Sequence, residues 1–157
     1  EATAVCSEVC AQGNMADFAS RPARGMAPED LLETGEYRFR FIPTPHLPHG
    51  WDAGVMYEET QGTLLCSDIL HQSGDVEAVS DSGIIERVGE SLRAYQAGPL
   101  ADYLPYTGHT HRQIEKLAAL EPKTLATMHG STYVGDCVAA LREFDELVAE
   151  IYGPAPQ

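Results

Sequence analysis

The residues best suited to chemistry are histidines and one aspartate. His46 and His49 lie beside prolines and glycine in the stretch from Phe41 to Leu70, FIPTPHLPHGWDAGVMYEETQGTLLCSDIL, and Asp68 closes an apolar run within it. A later cluster, Ala126-Thr127-Met128-His129-Gly130-Ser131, adds a further histidine just past another apolar run. Neutral imidazole and carboxylate are the usual ligands of zinc and non-haem iron, and a strand-end metal site is built from such residues in loops. Each residue also has a plainer reading. A lone histidine near prolines is an ordinary loop residue, and Asp68 after a strand can serve as a helix cap or turn residue. His71, just beyond Asp68, can hold a ligand carboxylate or reach a substrate, with an exposed loop histidine the equal alternative. Ser131 and Tyr133 can donate hydrogen bonds near such a site, with helix capping as the alternative for Ser131. His109-Thr110-His111 starts a helix, where its two imidazoles point apart, so the pair is expected to be structural.

The elements that must position these residues alternate between strands and helices. Ala2 to Cys6 reads as a short buried strand, and Ser7 can cap a helix running to about Ala19, weakened at Gly13. Arg21 to Glu29 is rich in Pro and Gly and predicts a loop, followed by a small strand at Leu31-Leu32. Tyr37-Arg38-Phe39-Arg40-Phe41 alternates apolar and basic residues, as a half-buried strand does. Pro43 and Pro45 then end it and hold the histidine loop extended. Ala53 to Tyr57 and Thr63 to Cys66 predict a hairpin through Glu58 to Gly62, with Asp68 at the end of its second strand. Helices are expected over 84–97 and 110–120, a strand over 123–128, and a closing helix over 134–152 with Val138, Leu141, Phe144, Val148 and Ile151 on one face.

Composition sets broad bounds. A chain of 157 residues is one domain's worth, and 43% hydrophobic residues can build a core. A formal net charge of −14, from 24 acidic against 10 basic residues, argues against binding nucleic-acid backbones or anionic membranes. No apolar run approaches a membrane span. Cys6, Cys10, Cys66 and Cys137 form no CxxC pair, which favours reduced thiols and a cytoplasmic location. Cys6 and Cys66 sit in apolar runs and are expected to be buried and inert. The chain opens on Glu1 and enters an apolar run at once, so the expectation is of a segment cut from a larger whole.

Phe41 to Asp68, together with Thr127 to Tyr133, resembles the second half of the metallo-β-lactamase fold. The resemblance implies an α/β chain of the αββα type, a mixed sheet with helices on one face, in which residues 1–157 form a single partial domain. His49, Asp68 and His129 match the family's later metal ligands. Asp52-Ala53-Gly54-Val55-Met56-Tyr57 matches the strand after the ligand and selects His49, with His46 the runner-up. The family's His-x-His-x-Asp-His motif has no counterpart here, and its Pro-Gly-His-Thr-Pro-Gly loop is replaced by Thr44-Pro45-His46-Leu47-Pro48-His49-Gly50-Trp51-Asp52. That loop is closer to the His-Trp-Pro-Asp loop of flavodiiron and related di-iron oxygen-binding proteins. The first function implied is a metal-dependent hydrolase of a small-molecule substrate, with two divalent ions, zinc or iron, sharing Asp68 and activating water. A non-haem di-iron oxidoreductase or oxygen-binding protein is the alternative, and a non-catalytic binding or dimerisation module the third reading. Because one half of a sandwich leaves an apolar sheet face and unpaired edges, the expected partner is a complementing N-terminal half or a second copy in a homodimer.

Overall fold

The computed structural model describes residues 2–154. The main sheet is built from β3 (Leu31–Thr34), β4 (Tyr37–Pro43), β5 (Gly54–Glu58), β6 (Thr63–Ser67), β7 (Val79–Ser80), β8 (Thr124–Thr127) and β9 (Thr132–Tyr133). Its spatial order is β3-β4-β5-β6-β8-β9-β7. The first four strands form an antiparallel meander, and β6 then pairs in parallel with β8. The connection from β6 to β8 carries β7, α2 (Ile84–Gln96) and α3 (Thr110–Ala118), and α4 (Cys137–Tyr152) closes the chain. This is the mixed α/β architecture expected.

Strand alternation divides the apolar residues between the two sheet faces. Ile42, Val55, Leu64, Cys66 and Leu125 enter one core with the buried faces of α2, α3 and α4. Phe144 on α4 and Ile114 on α3 are both fully buried in it, and each such side chain contributes roughly 1.5–3 kcal/mol by leaving water. The opposite face carries a cross-sheet row, since Phe41 pairs with Met56, Met56 with Leu65, and Leu65 with Ala126. Phe41 is buried, but Leu65 is exposed and Met56 and Ala126 are half-buried. The row is therefore covered at one end only.

That cover is an N-terminal unit in which β1 (Val5–Ser7) pairs in parallel with β2 (Arg24–Met26) and α1 (Glu8–Gln12) lies between them in sequence. Val5, Cys6 and Cys10 line a cavity of about 340 Å³ with Phe41 and Met56. Ser7 caps α1 as expected, its Oγ accepting the Cys10 N–H at 3.1 Å. The helix nevertheless stops at Gly13 rather than near Ala19, and turns follow. Cys6 is half-exposed rather than buried, because its strand lies outside the main core. Its thiol is still pushed up to about 11, first by partial burial and then by a hydrogen bond with the free thiol of Cys10.

Three short strands depart from expectation. β2 lies inside the predicted loop, and β7 and β9 are two-residue strands whose pairing with each other joins residues far apart in sequence. The closing helix begins at Cys137, later than Val134, because Asp136 accepts the Ala139 N–H at 2.9 Å and so sets its start.

Candidate metal centre

The parallel pairing of β6 and β8 brings Asp68 and His129 together. Asp68 follows β6 directly and His129 stands two residues past β8, and the two strands run the same way, so both residues emerge at the same end of the sheet. The register shifts between Leu65 and Ser67 within β6, and Ser67, its last residue, turns into positive φ (52°) just before Asp68. Ile69 and Leu70 are then fully buried and hold the turn down. The Met128 N–H donates to the Ser67 carbonyl at 2.9 Å, tying the two strand ends to each other.

His49 arrives from the β4–β5 connection, which opens at the same end because β5 runs antiparallel to β6. Thr44, fully buried, donates from Oγ1 to the Leu47 carbonyl at 2.7 Å, and its N–H donates to Ala53 O at 2.9 Å. Asp52 fastens the far side of the loop to the N-terminal unit. Its carbonyl accepts from Ser7 Oγ at 3.2 Å, and its Oδ2 accepts from Asn14 Nδ2 at 3.0 Å. His46 stands exposed at the loop tip, with its backbone N–H given to Gly50 O at 2.8 Å. His49, not His46, reaches Asp68.

The three side chains meet at the carboxylate. His49 Nε2 lies 3.1 Å from Asp68 Oδ2, and His129 Nε2 lies 3.3 Å from Oδ1. Asp68 is only 17% exposed, against 48% for His49 and 51% for His129. His129 is within ion-pair reach of Oδ1, yet that oxygen, buried, receives no hydrogen bond. A buried carboxylate oxygen left without a donor is costly, and a cation is the partner that fits it.

His71 is closer to the centre than its sequence position alone suggests. The donor atoms of Asp68, His71 and His129 all lie within 4.8 Å of one another. The His71 and His129 rings are 4.6 Å apart at centroids and inclined by 30°. His71 Nδ1 is 3.1 Å from the Tyr103 hydroxyl and Nε2 is 3.0 Å from the Tyr95 hydroxyl, which in turn bonds Ser73 Oγ at 2.6 Å. Burial first, then the neighbouring His129 ring, holds His71 below the ordinary imidazole range, against the pull of Asp68. Burial and then the adjacent Asp68 carboxylate push the Tyr103 phenol well above its usual value. The same Tyr103 ring packs 5.3 Å from His49.

Gln72 is the buried strut between the two loops. Its N–H donates to the His129 carbonyl at 2.9 Å, its Nε2 to the carbonyls of Leu70 and Ser131 at 3.3 and 3.4 Å, and its Oε1 accepts the Ser131 N–H at 3.3 Å. Ser131, fully buried, gives its hydroxyl to the Glu77 carbonyl at 2.6 Å; it caps no helix and fixes the loop behind His129. Tyr133 belongs to the hydrophobic core, with its hydroxyl packed over Gly135. Nothing in the sequence marks Tyr95, Tyr103 or Gln72. None lies in a recognisable motif, and only the fold brings them to Asp68. His109 and His111 are separated as expected: His109 meets Arg112 at 2.9 Å, and His111 Nδ1 meets Asp145 Oδ2 at 2.5 Å.

No family model matches this chain, and no curated protein matches it. Solved structures do. A mutant flavo di-iron protein from Thermotoga maritima superposes with a TM-score of 0.72 at 22% identity, over 92% of this chain and 35% of that one. The flavodiiron protein from Giardia intestinalis gives 0.72 at 21% identity, over 93% and 36% respectively. Rubredoxin oxygen:oxidoreductase from Desulfovibrio gigas gives 0.71 at 21% identity, over 90% and 36%. The chain thus has the mixed α/β fold of the metallo-β-lactamase-like part of such proteins and spans about a third of their length. Among the described residues no helix is long and apolar enough to cross a membrane.

Proposed function

We propose that the chain supplies part of a dinuclear non-haem iron centre in an oxidoreductase or oxygen-binding protein of the flavodiiron kind. The observation that carries this reading is the placement of Asp68, which offers one carboxylate oxygen to His49 and the other, buried and without a hydrogen bond, to His129. Asp68, His49 and His129 are the residues that would hold the ions, with one Asp68 carboxylate oxygen turned to each histidine. Iron bound there would supply electron transfer to a small diatomic substrate. Tyr103, beside Asp68 and bonded to His71, keeps the carboxylate and the imidazole oriented.

Similarity to di-iron proteins supports iron over zinc, and electron transfer over the hydrolase chemistry first expected from the sequence. Three donors are too few for two ions, each of which takes four to six ligands. The remaining ligands are proposed to come from a complementing half or a second copy seated on the apolar row that Phe41, Met56, Leu65 and Ala126 form across the sheet. The non-catalytic module is the reading left if no metal binds.

Elemental analysis of the purified chain, beside a variant carrying His49→Ala, Asp68→Ala and His129→Ala, tests the proposal. Iron present in the wild type and lost in the variant is expected. Zinc in its place would return the reading to a hydrolase, and no metal in either protein would overturn it for this chain.

A further inference from the structure

We infer that Asp68, His71 and His129 form a three-donor seat for a single divalent first-row metal ion, which this chain fills by itself and without His49. The inference rests on the preceding reading only in taking Asp68 and His129 as ligands. It differs in making His71 a ligand rather than a supporting group.

Geometry is the first reason. Among the described residues these three form the one group of His, Cys, Asp or Glu side chains whose donor atoms all come within 4.8 Å of each other. The 3.3 Å separation of His129 Nε2 and Asp68 Oδ1 already matches a coordination edge, since bonds of about 2.0–2.2 Å place neighbouring donors roughly 3.0–3.5 Å apart. Oδ1 is also the buried oxygen that lacks a hydrogen bond. Two neutral imidazoles and one carboxylate with open positions suit iron(II), cobalt(II) or zinc(II).

Support around His71 is the second reason. A ligating histidine almost always hands its other ring nitrogen to a neighbour that fixes its orientation. His71 has a tyrosine hydroxyl on each nitrogen, at 3.1 and 3.0 Å, so whichever nitrogen turns to the ion, the other keeps its partner. Tyr95 and Tyr103 also box the ring edge-on, at interplanar angles of 73° and 79°. The next residue, Gln72, is bonded through its N–H to the His129 carbonyl, so the backbones bearing the two imidazoles are already joined. His49 lies outside the three-donor group; its Nε2 meets Asp68 Oδ2 at 3.1 Å and the Tyr103 ring packs beside it at 5.3 Å.

Titration of the metal-free chain with cobalt(II), read by d–d absorption and calorimetry, tests this without any assay of activity. One cobalt per chain is expected. His71→Gln, which keeps a polar side chain, should weaken binding roughly tenfold or more, as should His129→Gln, while His49→Gln should change it less than about threefold. A second measurement avoids any folding defect in the variants. In the wild type, zinc(II) should shift the ring ¹⁵N signals of His71 and His129 and leave those of His49 in place. Tight binding that survives His71→Gln but is lost with His49→Gln would overturn the inference and leave the Asp68-bridged dinuclear reading standing. Failure of the wild type to bind cobalt would also overturn it.

Discussion

The placement of His129 depends on Gly130, and Gly130→Ala tests that dependence. Gly130 has φ +117°, a backbone region that side chains with a Cβ rarely enter. A Cβ there would stand 2.6 Å from Gln72 Cβ, 2.7 Å from Cδ and 2.8 Å from Nε2. The near atom is the stiff base of the Gln72 side chain, so the strut that bonds Leu70, His129 and Ser131 has to move. The unfavourable backbone costs about 1–2 kcal/mol, and overpacking adds about 1–3 kcal/mol. For a chain of this size, 1 kcal/mol lowers Tm by about 2–4 °C, so the expected loss is on the order of 10 °C. Gly74→Ala is the control, because Gly74 also has positive φ (+91°) but nothing within 4 Å of the added Cβ. Thermal unfolding by circular dichroism, with cobalt(II) titration of both variants, separates strain from clash. Gly130→Ala should melt well below Gly74→Ala and bind cobalt more weakly. Equal melting and equal affinity would refute the argument that Gln72 holds His129 in place.

Two further perturbations probe the charges. Asp68→Asn removes a carboxylate with a buried, unbonded oxygen, so the metal-free protein should melt no lower than wild type while cobalt affinity falls by roughly a hundredfold or more; a clear drop in Tm would mean the carboxylate is structural. His111 is raised above the usual imidazole range by its bond to Asp145 and by that carboxylate's charge, so its contribution is fully present below the unfolded value near about 6.5 and is lost as pH rises through the folded value. The Tm difference between wild type and His111→Gln should therefore be largest at acid pH and shrink in alkali, and a constant difference from acid to alkaline pH would count against the ion pair.

Most of the fold was legible because its long elements state their period. The alternation in Tyr37-Arg38-Phe39-Arg40-Phe41 and the apolar stripe of the closing helix are local signals, and the structure places β4 and α4 there. The hairpin was legible for the same reason. Glu58 accepts the N–H groups of Thr60 and Gln61 at 2.6 and 2.8 Å, and Gly62 takes the positive φ that the turn requires. What escaped was structure made only by distant pairing. β2 exists because Ala4 and β1 lie beside it, and β7 exists because β9 does. A two- or three-residue strand has no period to read.

The centre divides along the same line. His49, Asp68 and His129 stand at loop positions beside Pro, Gly or a strand end, and those neighbours mark them in the sequence. Tyr95 sits on a helix and Tyr103 in a connection, and nothing near either points to Asp68. Their contribution arises where α2 and its following loop fold back over the end of β6, which is a property of topology. The same holds for His71, which from sequence was a neighbour of the site and in three dimensions shares the donor group of Asp68 and His129. Residues that bind are marked by local chemistry, whereas residues that aim the binders are marked only by the contacts of the finished fold. The cobalt titration bears on that boundary directly, because His71 lies on it: a ligand if the tyrosines orient it toward the ion, and a strut if they hold it away.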